Sequence, residues 1–176
     1  STSPWGLTSS ITLTSGQTGY DGSSNAWLLE RQDTSARYLY QNVSFSSNQY
    51  TYSIYAKAGN NDWLFLYAYT GTGGVNQYYD LANGVVGSSG GGFTSSSITS
   101  VGNGWYLCQM TFTTPLTILR VYPAVADGSI TGGVSDASIY IQDAQVNSGS
   151  LKPYFPTTDR QNVPRLTYQN GGGGCP

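Results

Sequence analysis

The chain has 176 residues, of which only 9% are charged and 38% hydrophobic, with 15 tyrosines among the 14% aromatics; this excludes a disordered, highly charged chain and fits one domain with a tail. Histidine is absent, which excludes Ser-His-Asp and Cys-His catalysis and every His-based metal site. Seven basic residues against nine acidic ones are too few to neutralise a phosphate backbone, so nucleic acid is not an expected partner.

Short runs rich in Tyr, Ile, Val and Thr, separated by Gly, Asn, Asp and Ser clusters, predict strands. They cover residues 11–14, 26–30, 38–44, 50–58, 62–70, 77–81, 97–100, 105–113, 117–126 and 138–147. No window holds apolar residues at helical spacing, so the fold class is all-β. Ten strands at this spacing predict an antiparallel sandwich or barrel, not a parallel α/β sheet. No apolar run approaches the roughly 18 residues of a membrane span, and no membrane partner is expected.

Within 50–58, Tyr50, Tyr52, Ile54 and Ala56 form the predicted core face; Thr51, Ser53, Tyr55 and Lys57 form the solvent face. In 62–70 both faces are apolar, Leu64, Leu66 and Ala68 against Trp63, Phe65, Tyr67 and Tyr69. Such a strand is covered on both sides or presents an aromatic platform. Glycine-rich 71–74 and 87–92 read as turns or loops, without the Lys-Ser or Lys-Thr pair of a phosphate loop. Gly102-Asn103-Gly104 predicts a hairpin turn, with Trp105 packed over it as a structural residue. Cys108, alternating with Tyr106, Met110 and Phe112, reads as a buried free thiol. From Leu151 onward prolines interrupt any strand pattern. Residues 1–155 are therefore expected to form the sandwich, and 156–176 an extended linker toward a further segment that adds little stability.

Five stretches in order resemble a jelly-roll module of bacteriophage tail and other virion proteins: DGSSNAW (21–27), YTYSIYAKAG (50–59), YYDLANGVV (78–86), VGNGWYLCQMTF (101–112) and IYIQDAQVNSGSLKPYFPTT (139–158). The tail NVPRLTYQNGGGGCP resembles the connector that follows that module. One difference is Gln142-Asp143, where the module carries Trp-Gly before Ala-Gln. That module is similar to carbohydrate-binding domains of the concanavalin-like and galactose-binding-like sandwiches. The resemblance implies an antiparallel jelly-roll β-sandwich with an extended C-terminal linker, and a non-catalytic module in a virion or extracellular setting. Its implied partners are a glycan or polysaccharide and other virion chains, with homo-oligomerisation left open. The alternatives are a purely structural virion spacer or decoration domain, and a carbohydrate-binding module of a polysaccharide-degrading enzyme.

Three constellations carry candidate chemistry. A glycosidase needs two carboxylates, but Glu30 is the only glutamate and most aspartates sit in turn contexts; Asp80 and Asp143, inside predicted strands, are the exceptions, and no catalytic residue is expected. Asp21, Asn25 and Asp143 would offer oxygens to a structural calcium if the first and last strands are adjacent; their alternative role is turn formation, and no other cofactor is expected. Sugars present flat C–H faces edged by hydroxyls, which suit Tyr and Trp. Trp63, Phe65, Tyr67 and Tyr69 share a face, Tyr78, Tyr79 and Tyr122 border it, and Asn76, Gln77 and Arg120 would orient a ligand. The expected carbohydrate-binding set is Trp63, Tyr67, Tyr69, Tyr78, Arg120 and Tyr122, with Trp63 foremost; the alternative is that these aromatics are core.

Overall fold

The computed structural model describes residues 5–155, and every regular element among them is a strand. In chain order these are β1 (Gly6–Leu7), β2 (Ile11–Gln17), β3 (Ala26–Arg31), β4 (Leu39–Phe45), β5 (Gln49–Ala58) and β6 (Trp63–Tyr69), followed by β7 (Gly74–Asp80), β8 (Val85–Gly90), β9 (Phe93–Gly102), β10 (Trp105–Thr113), β11 (Leu116–Ala124) and β12 (Ser138–Ser148). Pairing is antiparallel throughout. One six-stranded sheet runs β1-β4-β11-β6-β7-β8 and the other β2-β3-β12-β5-β10-β9. The two face each other as a sandwich, in agreement with the all-β expectation. The linker expected at 156–176 lies outside the described residues.

Alternation builds the core between the sheets. Tyr50, Tyr52, Ile54 and Ala56 of β5 meet Leu64, Leu66 and Ala68 of β6, with Met110, Phe112, Val121 and Ile139 filling the space between. Cys108 is fully buried and unbridged in this layer, and burial pushes its thiol pKa well up, so it acts as a small apolar residue. The Tyr52 hydroxyl is buried without a hydrogen-bond partner among the described residues. Tyr52→Phe is therefore expected to stabilise the fold by about 1 kcal/mol, since it deletes a desolvated, unsatisfied group at constant shape. An unchanged or lower denaturation midpoint would show that the hydroxyl is satisfied in solution.

The hairpin expected at Gly102–Gly104 is present. Asn103 (φ 54°) and Gly104 (φ 77°) both occupy the left-handed region, as a two-residue turn of the mirror-image type demands, and Gly102 pairs with Trp105. Trp105 is 1% exposed, edge-on to Tyr20, in the structural role foreseen for it.

Two expectations are corrected. Residues 87–92 are not simply loop, because β8 spans Val85–Gly90 and pairs with β7. Its side chains are mostly exposed, so no apolar alternation advertised it. The buried Gln77 amide donates to the carbonyls of Tyr78, Gly87 and Ser88 (2.9, 2.7 and 3.0 Å), which holds the strand's irregular stretch. Secondly, Thr51 and Ser53 are buried rather than solvent-facing. Thr51 Oγ1 shares a hydrogen bond with Thr111 (3.0 Å) and donates to the carbonyl of Gly149 (2.7 Å), because the chain after β12 turns back over this sheet.

Candidate functional site

The outer face of the first sheet concentrates the aromatic residues. Odd-numbered residues of β6 point outward, and strand register extends that face to each side. Opposite Trp63, Phe65, Tyr67 and Tyr69 stand Ala124, Tyr122, Arg120 and Ile118 of β11, and on β7 Asp80, Tyr78, Asn76 and Gly74. On β4, Tyr40 stands opposite Arg120 and Asn42 opposite Ile118, with Tyr38 just ahead of the strand. All six expected binding residues, Trp63, Tyr67, Tyr69, Tyr78, Arg120 and Tyr122, thus share one face.

Burial then divides them. Tyr122 is 3% and Tyr78 8% exposed, and with Phe65 and Ala124 they form a second apolar cluster outside the main core. The Phe65 ring lies 4.2 Å from that of Tyr78 and 5.2 Å from that of Tyr122. Ala36, Tyr38, Trp63, Tyr67 and Ile130 pack around them. A two-layer sandwich acquires this extra cover because the β11–β12 connection folds over the sheet. The Asp127 carboxylate pins that connection by accepting the Ser88 N–H (2.7 Å) and hydroxyl (2.8 Å). Tyr79 and Gln77 are corrected as ligand contacts. Both point inward, since strand neighbours alternate, and the Tyr79 hydroxyl donates to the Gln109 carbonyl (2.7 Å).

Tyr38, Tyr40, Tyr67, Tyr69, Arg120 and Asn76 are half-buried and form the open part of the face. The Arg120 guanidinium carbon lies 4.8, 5.5 and 4.6 Å from the ring centres of Tyr38, Tyr67 and Tyr69, within cation–π range of all three. Beside this cage a cleft of about 300 Å³ is lined by Leu7, Thr8, Tyr38, Tyr40 and Ile118. Trp63 stands four residues along β6 from Tyr67, about 13 Å away. Its ring edge covers Gly87, where a Cβ would come within 2.6 Å. The centre of the open face is therefore Arg120 and its tyrosines, with Trp63 at one edge. Tyr38 and Tyr40 were not singled out from the sequence, although Tyr38 and Tyr40 flanking the inward Leu39 is a readable alternation.

The remaining candidates have local roles. Asp80 ends β7; burial would raise its pKa, but hydrogen bonds from the Asn83 side-chain amide (2.8 Å) and from the N–H groups of Asn83 (3.0 Å) and Ala82 (2.9 Å) outweigh that and lower it. Asp21 accepts the Ser23 N–H (3.0 Å) and hydroxyl (2.7 Å) in an Asx turn. No cluster of three metal-ligating acids, cysteines or histidines occurs among the described residues. Asp143 sits at a bulge in β12 with φ 52° and accepts the Tyr20 hydroxyl (3.0 Å), beside a second cleft of about 260 Å³ lined in part by Tyr55, Gln145 and Tyr154.

Burial raises the Asp143 pKa, Asp21 adds to that, and hydrogen bonds from Tyr20 and Tyr154 oppose it. The folded chain therefore holds this proton more tightly than the unfolded chain. Ionised Asp143 costs stability above its folded pKa, and the cost fades as pH falls through that value. Asp143→Asn, which also tolerates the left-handed backbone, is expected to raise the Tm at neutral pH and to lose that gain by about pH 4. A gain that persists unchanged at acid pH would point to backbone conformation instead of charge.

Comparison with known proteins places the fold. No protein-family model and no curated protein sequence matches the chain. Among solved structures, the CBM22-2 xylan-binding domain of Paenibacillus barcinonensis Xyn10C superposes with TM-score 0.51 at 11% identity, over 85% of this chain and 94% of that one. TmCBM61 in complex with β-1,4-galactotriose gives TM-score 0.49 at 12% identity, over 84% and 90%. The CBM22-1–GH10 modules of Clostridium thermocellum xylanase 10B, complexed with xylohexaose, give 0.49 at 11% identity; the chain covers 26% of that longer polypeptide with 84% of its own length. The fold is a β-sandwich similar to that of the CBM22-2 domain.

Proposed function

We propose that this chain is a non-catalytic glycan-binding module whose contact surface is the open tyrosine face around Arg120. The observation that carries the reading is the half-buried array of Tyr38, Tyr40, Tyr67 and Tyr69 beside an open cleft. Rings with apolar faces and hydroxyl edges match the C–H faces and hydroxyls of sugars. The strands β4, β11, β6 and β7 carry this face across roughly 14 Å, enough for several linked sugars lying flat. Tyr78 and Tyr122 act beneath the surface, holding the rings that meet the ligand. One fold neighbour is itself a xylan-binding domain, so glycan sites occur on this sandwich.

The test is a glycan array followed by titration of the best hit. Tyr67→Ala and Tyr69→Ala are each expected to weaken binding by about 1–3 kcal/mol with little change in Tm. Unchanged affinity in both would remove the face from the binding function.

The setting we propose is a bacteriophage particle, as a tail-associated module. The ordered motifs from 21–27 to 139–158 support it. Antibodies against the chain should then label purified particles, and labelling confined to secreted cell proteins would reject that setting. A structural spacer or decoration domain is the second reading, favoured by the burial of Phe65, Tyr78 and Tyr122. It requires that no glycan bind and that Tyr67 and Tyr69 be covered by a neighbouring chain.

A further inference from the structure

Arg120 is the cation at the middle of this face, and among the described residues its charge has no acidic counterpart. Of the other described arginines, Arg31 is engaged by backbone carbonyls and Arg37 pairs with Asp33. Arg120 makes no ion pair among the described residues. Its Nε is buried without a hydrogen-bond partner there, and Nη1 reaches the Tyr122 hydroxyl only at 3.5 Å. The acids nearest the face's rim are occupied, Asp80 by its own turn and Asp127 by Ser88.

Three tyrosine rings hold the guanidinium in place, so little freedom remains to be lost when a ligand docks on it. A fixed, planar fork of donors matches a carboxylate, which accepts two parallel hydrogen bonds and supplies the missing negative charge. A neutral sugar hydroxyl uses neither property. Resting on the reading of this face as a glycan site, we propose that it selects glycans bearing a carboxylate, with Arg120 as the specificity-determining residue. The ligand class is that of acidic sugars, in which the carboxylate sits on a pyranose ring that stacks on Tyr67 or Tyr69.

The full chain is titrated with oligogalacturonate and with sialyllactose, each beside its carboxyl-reduced neutral counterpart, at low and high salt. The expected result is that one acidic ligand binds at least tenfold more tightly than its neutral twin at low salt, with the margin shrinking as salt rises. Which of the two shows the margin identifies the source as uronate or sialate. Arg120→Gln should bind both members of that pair with the neutral affinity, at a Tm that confirms folding. Arg120→Lys, which keeps the charge but loses the fork, should fall between. Equal binding of acidic and neutral members by the wild type overturns the carboxylate inference while leaving the glycan reading intact. A preference that survives in Arg120→Gln overturns the role of Arg120. Absence of binding to all four ligands and to every array glycan overturns both readings together.

Discussion

Tyr122→Ala is expected to destabilise the protein by about 3–5 kcal/mol, the range for deleting a large buried aromatic. Tyr122 is 3% exposed, with its ring 4.7 Å from Tyr38 and 5.2 Å from Phe65. Burial pushes its hydroxyl pKa up to about 12, against the opposing pull of Arg120. Its removal leaves a cavity beneath Tyr38 and Arg120, so the cage loses its floor as well as the fold its packing. For a domain of this size the Tm should fall by about 10 °C. Tyr122→Phe retains the ring and removes only a long hydrogen bond, so its cost should stay below about 1 kcal/mol. If Tyr122→Ala cost no more than Tyr67→Ala, the outer cluster would be a deformable ligand surface without a core of its own.

That contrast separates what the sequence revealed from what it concealed. Ten strands were legible because β-branched and aromatic runs alternate between turn residues, and the Asn103-Gly104 hairpin follows directly from its two left-handed positions. The shared face of Trp63, Tyr67 and Tyr69 was legible from period-two spacing alone. Three features were not. The outward Tyr78 and inward Tyr79 are adjacent and chemically identical, so only the pairing with Phe65 and Leu64 assigns their faces. β8 was missed because its glycines and exposed serines show no apolar alternation. What holds it is backbone pairing with β7 together with the Gln77 and Asp127 side chains, which lie outside the strand. The burial of Tyr122 depends on a connection between β11 and β12 that has no regular element and hence no periodicity.

The same connection explains why one sheet face is both core and candidate surface. Its Ile130 packs over Phe65, Tyr78 and Tyr122 at one end and leaves Tyr40, Tyr67, Tyr69 and Arg120 open toward the other. Rigid support under half the rings keeps the other half in place without a ligand. The stability of the buried half and any binding by the open half are therefore linked through the connection, and both depend on what anchors it.

The anchor is Arg31, and Arg31→Ala is expected to cost about 3 kcal/mol, lowering the Tm by about 10 °C. Arg31 closes β3 fully buried, and its side chain reaches the connection from the opposite sheet. Nε and Nη2 donate to the Val134 carbonyl at 3.2 and 2.6 Å, Nη1 to that of Ile130 at 3.3 Å, and Nη2 also to that of Gly132. Burial lowers the guanidinium pKa, and the charges of Asp33 and Asp136 act against that shift. Truncation leaves three carbonyls without their donor; they recover water only if the connection lifts away, which in turn uncovers Ile130 and the aromatic cluster beneath it. Near-ultraviolet circular dichroism should therefore weaken in Arg31→Ala even where the far-ultraviolet strand signal persists. Arg31→Lys keeps a charge but presents one compact donor group in place of a fork, so it should recover only part of the loss. Because both changes act through one segment, Arg31→Ala combined with Ile130→Ala should cost less than the sum of the single variants. Strict additivity, or a Tm within about 2 °C of wild type for Arg31→Ala, would show that the connection is held without Arg31, by the Asp127–Ser88 contact and the Gly132 N–H bond to the Thr34 carbonyl.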